Sequence, residues 1–224
     1  MKLKKKVKLL IAADGGAGSG KTTAAKLISK KYNLDFLSSG LLYRYIGYKL
    51  LSKKKIKNKN SFLKKITNNI TPAKLKNNKL FNQNVTMYSA KIAKSKKIRL
   101  LLKKYQKKFA KRNHVCIEGR DIGSVICPKA DIKFFFKCSL NVRAKRRWNE
   151  FRKNNPEITL LEAKKSLKLR DYSDTTRKHS PLRILKDSIV IDTSKINKKQ
   201  MLGKISKIVE KKLFLKYGTN YKAR

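Results

Sequence analysis

Four of the chain's ten glycines fall within six residues, in the stretch DGGAGSGKTTAAK from Asp14 to Lys26. Gly15, four further residues, and then Gly20, Lys21 and Thr22 fit the spacing G-x-x-x-x-G-K-[ST] of a phosphate-binding loop. Glycine lets the backbone through Gly15, Gly16, Ala17, Gly18, Ser19 and Gly20 curl until successive N–H groups face one anion. A helix starting at Lys21 brings its positive end to the same point. In that arrangement the Lys21 ammonium reaches the β and γ phosphates of a nucleoside triphosphate such as ATP, and the Thr22 hydroxyl holds Mg2+. Thr23 completes the donor-binding stretch. The motif specifies a triphosphate and leaves the phosphoryl acceptor open.

Three other stretches bear on the acceptor. SSGLLYR (Ser38 to Arg44) ends a short apolar segment, EGRDIG (Glu118 to Gly123) ends another, and RDYSDTTR runs from Arg170 to Arg177. In the last, Arg170, Asp174 and Arg177 are spaced by four and three, so a continuing helix puts all three on one face. Such a stripe on its own is an ordinary surface salt-bridge ladder. Arginine, however, is scarce here, with 12 arginines beside 48 lysines. A chain that uses lysine for generic positive charge keeps arginine where a planar, bidentate fork matters. On that ground the arginines near the phosphate-binding edge are read as functional, while Arg112, Arg183 and Arg224 stay open as surface residues.

The elements that must position these residues alternate. Val7 to Ala13 is an almost unbroken apolar run, as in a strand buried on both faces. The pattern predicts a helix over 21–32, a strand over 35–38 and a helix over 40–51. Residues 53–84 are polar, rich in lysine and asparagine, and form either a small inserted subdomain or a flap. Ile92, Ile98, Leu101, Leu102, Tyr105 and Phe109 recur at helical spacing. Strands follow at 115–118 and 132–136, helices at 141–152 and 160–172, a strand at 188–192 and a closing helix over 198–215. Five strands alternating with helices predict an α/β fold, a five-stranded parallel sheet covered on both faces. The carboxyl edge of such a sheet is where ligands bind.

Composition sets limits. A length of 224 residues suits one domain with a small insertion. No apolar run reaches the roughly 18 residues of a membrane span. The first residues resemble a signal peptide, but the apolar run is short and cleavage would remove the strand that presents the glycine loop. Cys116, Cys127 and Cys138 are too few and too far apart for a disulfide framework or a zinc site, which points to a cytoplasmic protein. His114 and His179 are given no chemical role, and Trp148 is expected to sit in the core or else to pack under the lid, the core being preferred. The net charge of +47 suggests nucleic-acid binding. Yet the lysines run along the whole length, and lysine, asparagine and isoleucine all have AT-rich codons, so a biased genome is a sufficient cause.

In order, DGGAGSGKTT, SSGLLYR, KIAKSKKIRLLLKKYQKKF, IEGRDIGSVICPKADIKFFF, VRAKRRW, LRDYSDTTRKHSPL and IVIDTS resemble the cytidylate kinases, P-loop nucleoside monophosphate kinases, from about Val7 to Leu213. The resemblance implies ATP as phosphoryl donor with Mg2+, and CMP or dCMP as acceptor. It implies that Arg44, Arg120 and Arg170 grip the acceptor phosphate, Lys21, Arg120 and Arg170 being the catalytic cations. Arg99, Asp121 and Arg177 would read the cytosine edge, Asp174 would lie near the sugar, and Ser39 and Gly40 would line the site. Arg143, Arg146 and Arg147 would begin a lid over ATP, and residues 192–194 would lie near the adenine. The implied layout is one P-loop kinase domain, with a core over 1–52, 86–142 and 160–224, an acceptor-binding insertion near 53–85 and a lid near 143–159. The expected partners are small nucleotides, with no membrane, no specific nucleic acid, and a monomeric state.

Two positions depart from the family: Ser38 stands where an aspartate is usual and Ala90 where a serine contacts the base, with Ser89 beside it. The insertion is short, so its usual small sheet is expected to be reduced. Weaker discrimination among pyrimidine acceptors follows. The competing readings are a P-loop kinase for UMP or AMP, and a basic RNA-binding protein. The first gives no reason for the pair EGRDIG and RDxxDxxR, and the second lacks an aromatic platform.

Overall fold

The structure is a computed structural model and describes residues 3–53, 55–152, 156–219 and 221. Residues 153–155 of the expected lid, residue 54 of the insertion and Arg224 lie outside the described residues. The chain divides into two compact units, Met1–Leu37 with Phe109–Arg224, and Ser38–Lys108.

The larger unit is built on five parallel strands, β1 (Leu9–Gly15), β2 (Asp35–Ser38), β3 (His114–Gly119), β4 (Ile132–Lys137) and β5 (Ile189–Asp192), in the order β2-β3-β1-β4-β5. The almost unbroken apolar run makes β1 the central strand: Ile11 faces Cys116 on β3 and Ile132 on β4. Leu9, Ile11 and Ala13 pack with Phe134 and Phe136 against α1 (Lys21–Tyr32) and α8 (Lys198–Tyr217), which supply Ala24, Ile28, Ile205 and Val209 to one core. Burying a side chain of this size stabilises by roughly 1.5–3 kcal/mol. At the sheet edge, β5 leaves Ile189 and Val190 more than a third exposed, so this strand is covered less than the parallel-sheet pattern predicts. A further pair, α6 (Leu140–Phe151) and α7 (Leu160–Thr176), packs through Ala144 and Leu167 onto Ala17 of the glycine loop.

The expected strands and helices are present with ends shifted by one or two residues, apart from α7. That helix runs four residues past the expected Tyr172, so Arg170 and Asp174 lie on it and Arg177 is its C-cap. Trp148, expected in the core, is instead half-buried on α6, its indole N–H donating to the Ile158 carbonyl at 2.8 Å.

The smaller unit is helical. It comprises α2 (Ser39–Leu51), α3 (Lys59–Asn68), two 3-10 turns at Lys74–Lys76 and Asn78–Phe81, α4 (Gln83–Ile92) and α5 (Lys96–Ala110), whose last residues pass into the larger unit. Leu63, Ile66, Ile70, Leu75 and Leu80 are buried, so the polar stretch after residue 53 is a folded subdomain rather than a flap, and its described residues hold no strand. The single helix suggested by the Ile92-to-Phe109 periodicity is broken at Ala93–Ser95. There the Ser95 hydroxyl accepts the Ile98 N–H at 3.4 Å, a local bond that competes with helix continuation.

Candidate active site

The glycine loop joins β1 to α1, at the carboxyl end of the central strand. Gly15 is required by close approach, because a side chain there would overlap the Phe136 carbonyl oxygen on β4. Gly20 has φ +81°, a left-handed conformation that costs a residue with Cβ, and it serves as the N-cap of α1. Side chains cap α3, α4, α6, α7 and α8, whereas α1 has no side-chain cap and no acid in its first turn. Its N–H groups and positive dipole end are thus left for an anion. The Ser19 hydroxyl is buried with no hydrogen-bond partner among the described residues.

Lys21 is buried. Its ammonium donates to the Gly16 carbonyl at 3.1 Å and stands 3.9 Å from Glu118 on β3. Burial, then the charges of Arg120 and Arg170, push its pKa down to about 7, against the opposing pull of Glu118 and Asp174. An anion placed beside Lys21 would oppose that shift.

EGRDIG continues from β3 into a single π-helical turn, Ile122–Ile126. Arg120 donates from Nε to Asp174 at 2.8 Å, and Arg177 donates to the other oxygen of Asp174 at 3.3 Å. Asp174 is buried, which favours its neutral form, but Arg120, Arg170 and Arg177 together hold its carboxyl below the usual range. The stripe on α7 is thus tied to a guanidinium 54 residues away in sequence. This is the centre of a cationic cluster and not a surface ladder. Asp121 is buried beside it.

The three arginines expected to begin a lid diverge. Arg143 donates to the Ala17 carbonyl at 3.2 Å and to Asp171 at 2.6 Å. Arg146 donates to the Gly18 carbonyl at 3.4 Å and to the Thr193 carbonyl at 2.9 Å, while Arg147 pairs with Glu150 on its own helix at 3.0 Å. Thr193, just past β5, donates its hydroxyl to the Ser19 carbonyl at 2.9 Å. Arg143, Arg146 and Thr193 thus hold the carbonyls of Ala17, Gly18 and Ser19 in the glycine loop. Asp171 stands in the RDxxDxxR pattern but is given no role by it, and Thr193 enters only through the family resemblance, since a carbonyl partner has no residue type to announce it.

Asp14 is a further residue that the motif reading leaves without a role. Its two carboxylate oxygens accept the N–H groups of Ile122 and Gly123 at 2.9 and 2.7 Å, tying the start of the glycine loop to the end of EGRDIG. A charged residue closing a fully buried strand was the available signal. Burial pushes its carboxyl from 3.8 up to about 6, against the two N–H bonds that favour the charged form. Because the folded pKa lies above the unfolded one, this group's contribution to stability is greatest below about pH 4 and falls as pH rises to about 6. Relative to an Asp14→Asn variant, the wild type is expected to lose about 2 kcal/mol between pH 4 and pH 7. Denaturant midpoints across that range measure it, and parallel curves would refute it.

In the smaller unit, the Ser39 hydroxyl accepts from the Gln106 amide at 2.7 Å, and Ser38 is buried at the start of α2 with Gly40 beside it. Arg44 lies over the Phe81 ring at 5.3 Å. Arg99 is buried, donates to the Ala93 carbonyl at 2.9 Å and lies over the Tyr43 ring at 5.6 Å. Ser89 is buried and donates its hydroxyl to the Thr86 carbonyl at 2.7 Å. Among the described residues no group of three His, Cys, Asp or Glu could cage a metal, and no helix is long and apolar enough to cross a membrane. A magnesium ion that takes most of its ligands from phosphates and water needs no such cage.

A parallel sheet in this order, with a glycine loop between its central strand and an uncapped helix and a cationic cluster beside the loop lysine, defines a P-loop phosphotransferase. Within that class the chain belongs to the cytidylate kinase family, whose sequence profile matches residues 11–211. It is 38% identical to a cytidylate kinase from Fusobacterium nucleatum over 91% of this chain and 98% of that one. A cytidylate kinase from Thermosipho melanesiensis is 36% identical, over 90% of this chain and 97% of the other. A solved structure of an uncharacterized protein from Eubacterium ventriosum has a TM-score of 0.53 at 15% identity, covering 91% of this chain and 99% of that one, a likeness of fold alone.

Proposed function

We propose that the protein transfers the γ-phosphoryl group of ATP to CMP or dCMP, giving ADP and CDP or dCDP. The observation that carries this reading is the pairing of an anion-ready glycine loop with the Arg120–Asp174–Arg177 cluster beside Lys21. The nucleophile is a phosphate oxygen of the acceptor, already anionic, so no general base is required. That oxygen bonds to the γ phosphorus as the bond to the β–γ bridging oxygen breaks, and the charge released stays on ADP. Catalysis is alignment of two anions plus neutralisation of the moving phosphoryl by Lys21, Arg120 and Arg170. Mg2+, held by the Thr22 hydroxyl and the nucleotide phosphates, would supply further neutralisation.

In the same reading Gly15 to Thr23 cradle ATP, with Arg143, Arg146 and Arg147 on the lid side. Ser39, Gly40, Arg44, Arg99, Arg120, Asp121, Arg170, Asp174 and Arg177 serve the acceptor. Ala90 brings no hydroxyl, and the Ser89 hydroxyl already donates to a backbone carbonyl, which supports weak discrimination among pyrimidines. A monomeric protein of the cytoplasm, in pyrimidine nucleotide metabolism, fits this role.

Arg170→Lys keeps the charge and loses the fork, so turnover is expected to fall by roughly 10- to 100-fold, with the thermal midpoint little changed. Steady-state kinetics beside a melting curve measure it, and wild-type turnover would remove Arg170 from the mechanism. Exclusion of water by closure over ATP predicts that hydrolysis without acceptor is far slower than transfer.

A further inference from the structure

The basic residues are spread along the chain, but the acidic residues are not. The sequence has no aspartate or glutamate between Asp35 and Glu118. The unit Ser38–Lys108 therefore carries 21 lysines and arginines and no carboxylate in 71 residues, while the remaining 153 residues hold 39 basic and all 13 acidic side chains. A codon bias acts on the whole chain and does not clear acids from one segment. Asparagine, not aspartate or glutamate, caps helices here: Asn58 caps α3 and Asn82 caps α4. These are positions where an acidic residue would be as good or better for a helix start.

The lysines of this unit have a shape as well as a sign. On α5, Lys97, Lys104 and Lys108 recur at i, i+7 and i+11, and Lys96, Lys103 and Lys107 run beside them. Such a row spans about 16 Å, several phosphate spacings of a nucleic-acid strand. Between these side chains lies an open, shallow groove of about 510 Å3 on the exposed face of α5, lined by Lys97, Leu100, Leu101, Lys103, Lys104 and Lys107. Leu100 is 53% exposed. Lysines around two leucines offer ammonium groups to phosphates and an apolar floor to a base.

We propose that the α5 groove of the acid-free unit binds single-stranded nucleic acid through its phosphate backbone, without sequence preference. Lysines three and four apart on one helix repel each other, and a polyanion relieves that repulsion while releasing its own counterions. An anionic membrane fits less well. The large apolar side chains exposed on this unit are Leu51, Phe81, Met87 and Leu100, one on each of four elements, so no single element offers an inserting face. None of the groove's lining residues is assigned to phosphoryl transfer or to the acceptor, and the proposal stands whether or not CMP is the acceptor.

The test is fluorescence anisotropy with labelled 20-mers of polyuridylate and of oligodeoxythymidylate, in 50 to 300 mM KCl. Three forms of the full chain are compared: wild type, a groove variant with Lys97, Lys103, Lys104 and Lys107 each changed to Gln, and a control with Lys26, Lys30, Lys204 and Lys207 changed to Gln on the other unit. The wild type is expected to bind with a log K against log salt slope that reports several phosphate contacts. The groove variant is expected to bind roughly tenfold or more weakly at 50 mM, with the slope reduced by about 0.7 for each phosphate no longer neutralised, and the control within about twofold of wild type. Binding of both polymers assigns recognition to the backbone, and binding of RNA alone assigns part of it to the ribose. Unchanged phosphorylation kinetics show the groove variant to be folded, and Lys104→Glu alone keeps the test if the quadruple variant is unstable. Equal losses in the groove and control variants would overturn the proposal. So would no binding of either polymer at 50 mM, or binding only to phosphatidylserine vesicles.

Discussion

Lys21→Met is expected to lower turnover by roughly 10^2- to 10^3-fold, the usual cost of removing one preorganised electrostatic group from a transition state. The side chain is buried, and methionine matches its length, so the loop should keep its shape while losing the charge aimed at the β and γ phosphates. The same substitution has a second signature. The Lys21 pKa is pushed down to about 7, so above that pH the nucleotide-free site has lost a proton that a bound triphosphate needs. ATP affinity of the wild type should therefore decline as pH rises above about 7, with proton uptake on binding. The methionine variant should lack that part of the dependence. Calorimetry in buffers of different ionisation enthalpy reads both effects, and equal proton uptake in the two proteins would refute this role for Lys21.

Arg120→Ala is the other large effect, and it should appear in stability as well as rate. Arg120 and Asp174 are both mostly buried and 2.8 Å apart, so deletion leaves a buried carboxylate with less compensation. Breaking such a pair typically costs about 3–5 kcal/mol. Arg177 still bonds Asp174, which favours the lower end of that range. Turnover should fall at least 10^2-fold, since the same guanidinium is assigned to the acceptor phosphate. Asp174→Asn in the Arg120→Ala background should recover part of the stability and none of the rate. Recovery of both would make Arg120 a structural residue only.

Local pattern was enough for part of this. The unbroken apolar run marks the central strand, and the glycine spacing marks the donor loop with the helix start at Lys21, because both depend on residues adjacent in sequence. The five strands and their parallel pairing follow from alternation with helices. What escaped depends on partners far apart. Asp14 acts through backbone N–H groups 108 and 109 residues away, and Arg143 and Arg146 meet carbonyls of Ala17 and Gly18 from more than 120 residues away. Hydrogen bonds to backbone atoms leave no mark in residue type. For Trp148 the core was preferred over a place under the lid, but its indole N–H needs an acceptor, and the Ile158 carbonyl, within the range expected for the lid, provides one. The split between α4 and α5 came from a serine side chain competing with the helix ladder, in a segment whose apolar spacing alone read as continuous.

The charge shows the same division. A total of +47 did not distinguish drift from function, whereas the absence of acids from a single compact unit singles out a surface on which function can be tested. At the transfer site the cations are arginines clustered around Asp174, and on α5 they are lysines in a row, two different ways of meeting phosphate.

The central claim is tested most directly by a coupled assay of ADP formation with ATP and Mg2+ and, in separate reactions, CMP, dCMP, UMP and AMP. The account predicts rapid transfer to CMP and dCMP, slower transfer to UMP, and little to AMP. No transfer to any of the four, or faster transfer to AMP than to CMP, would contradict it.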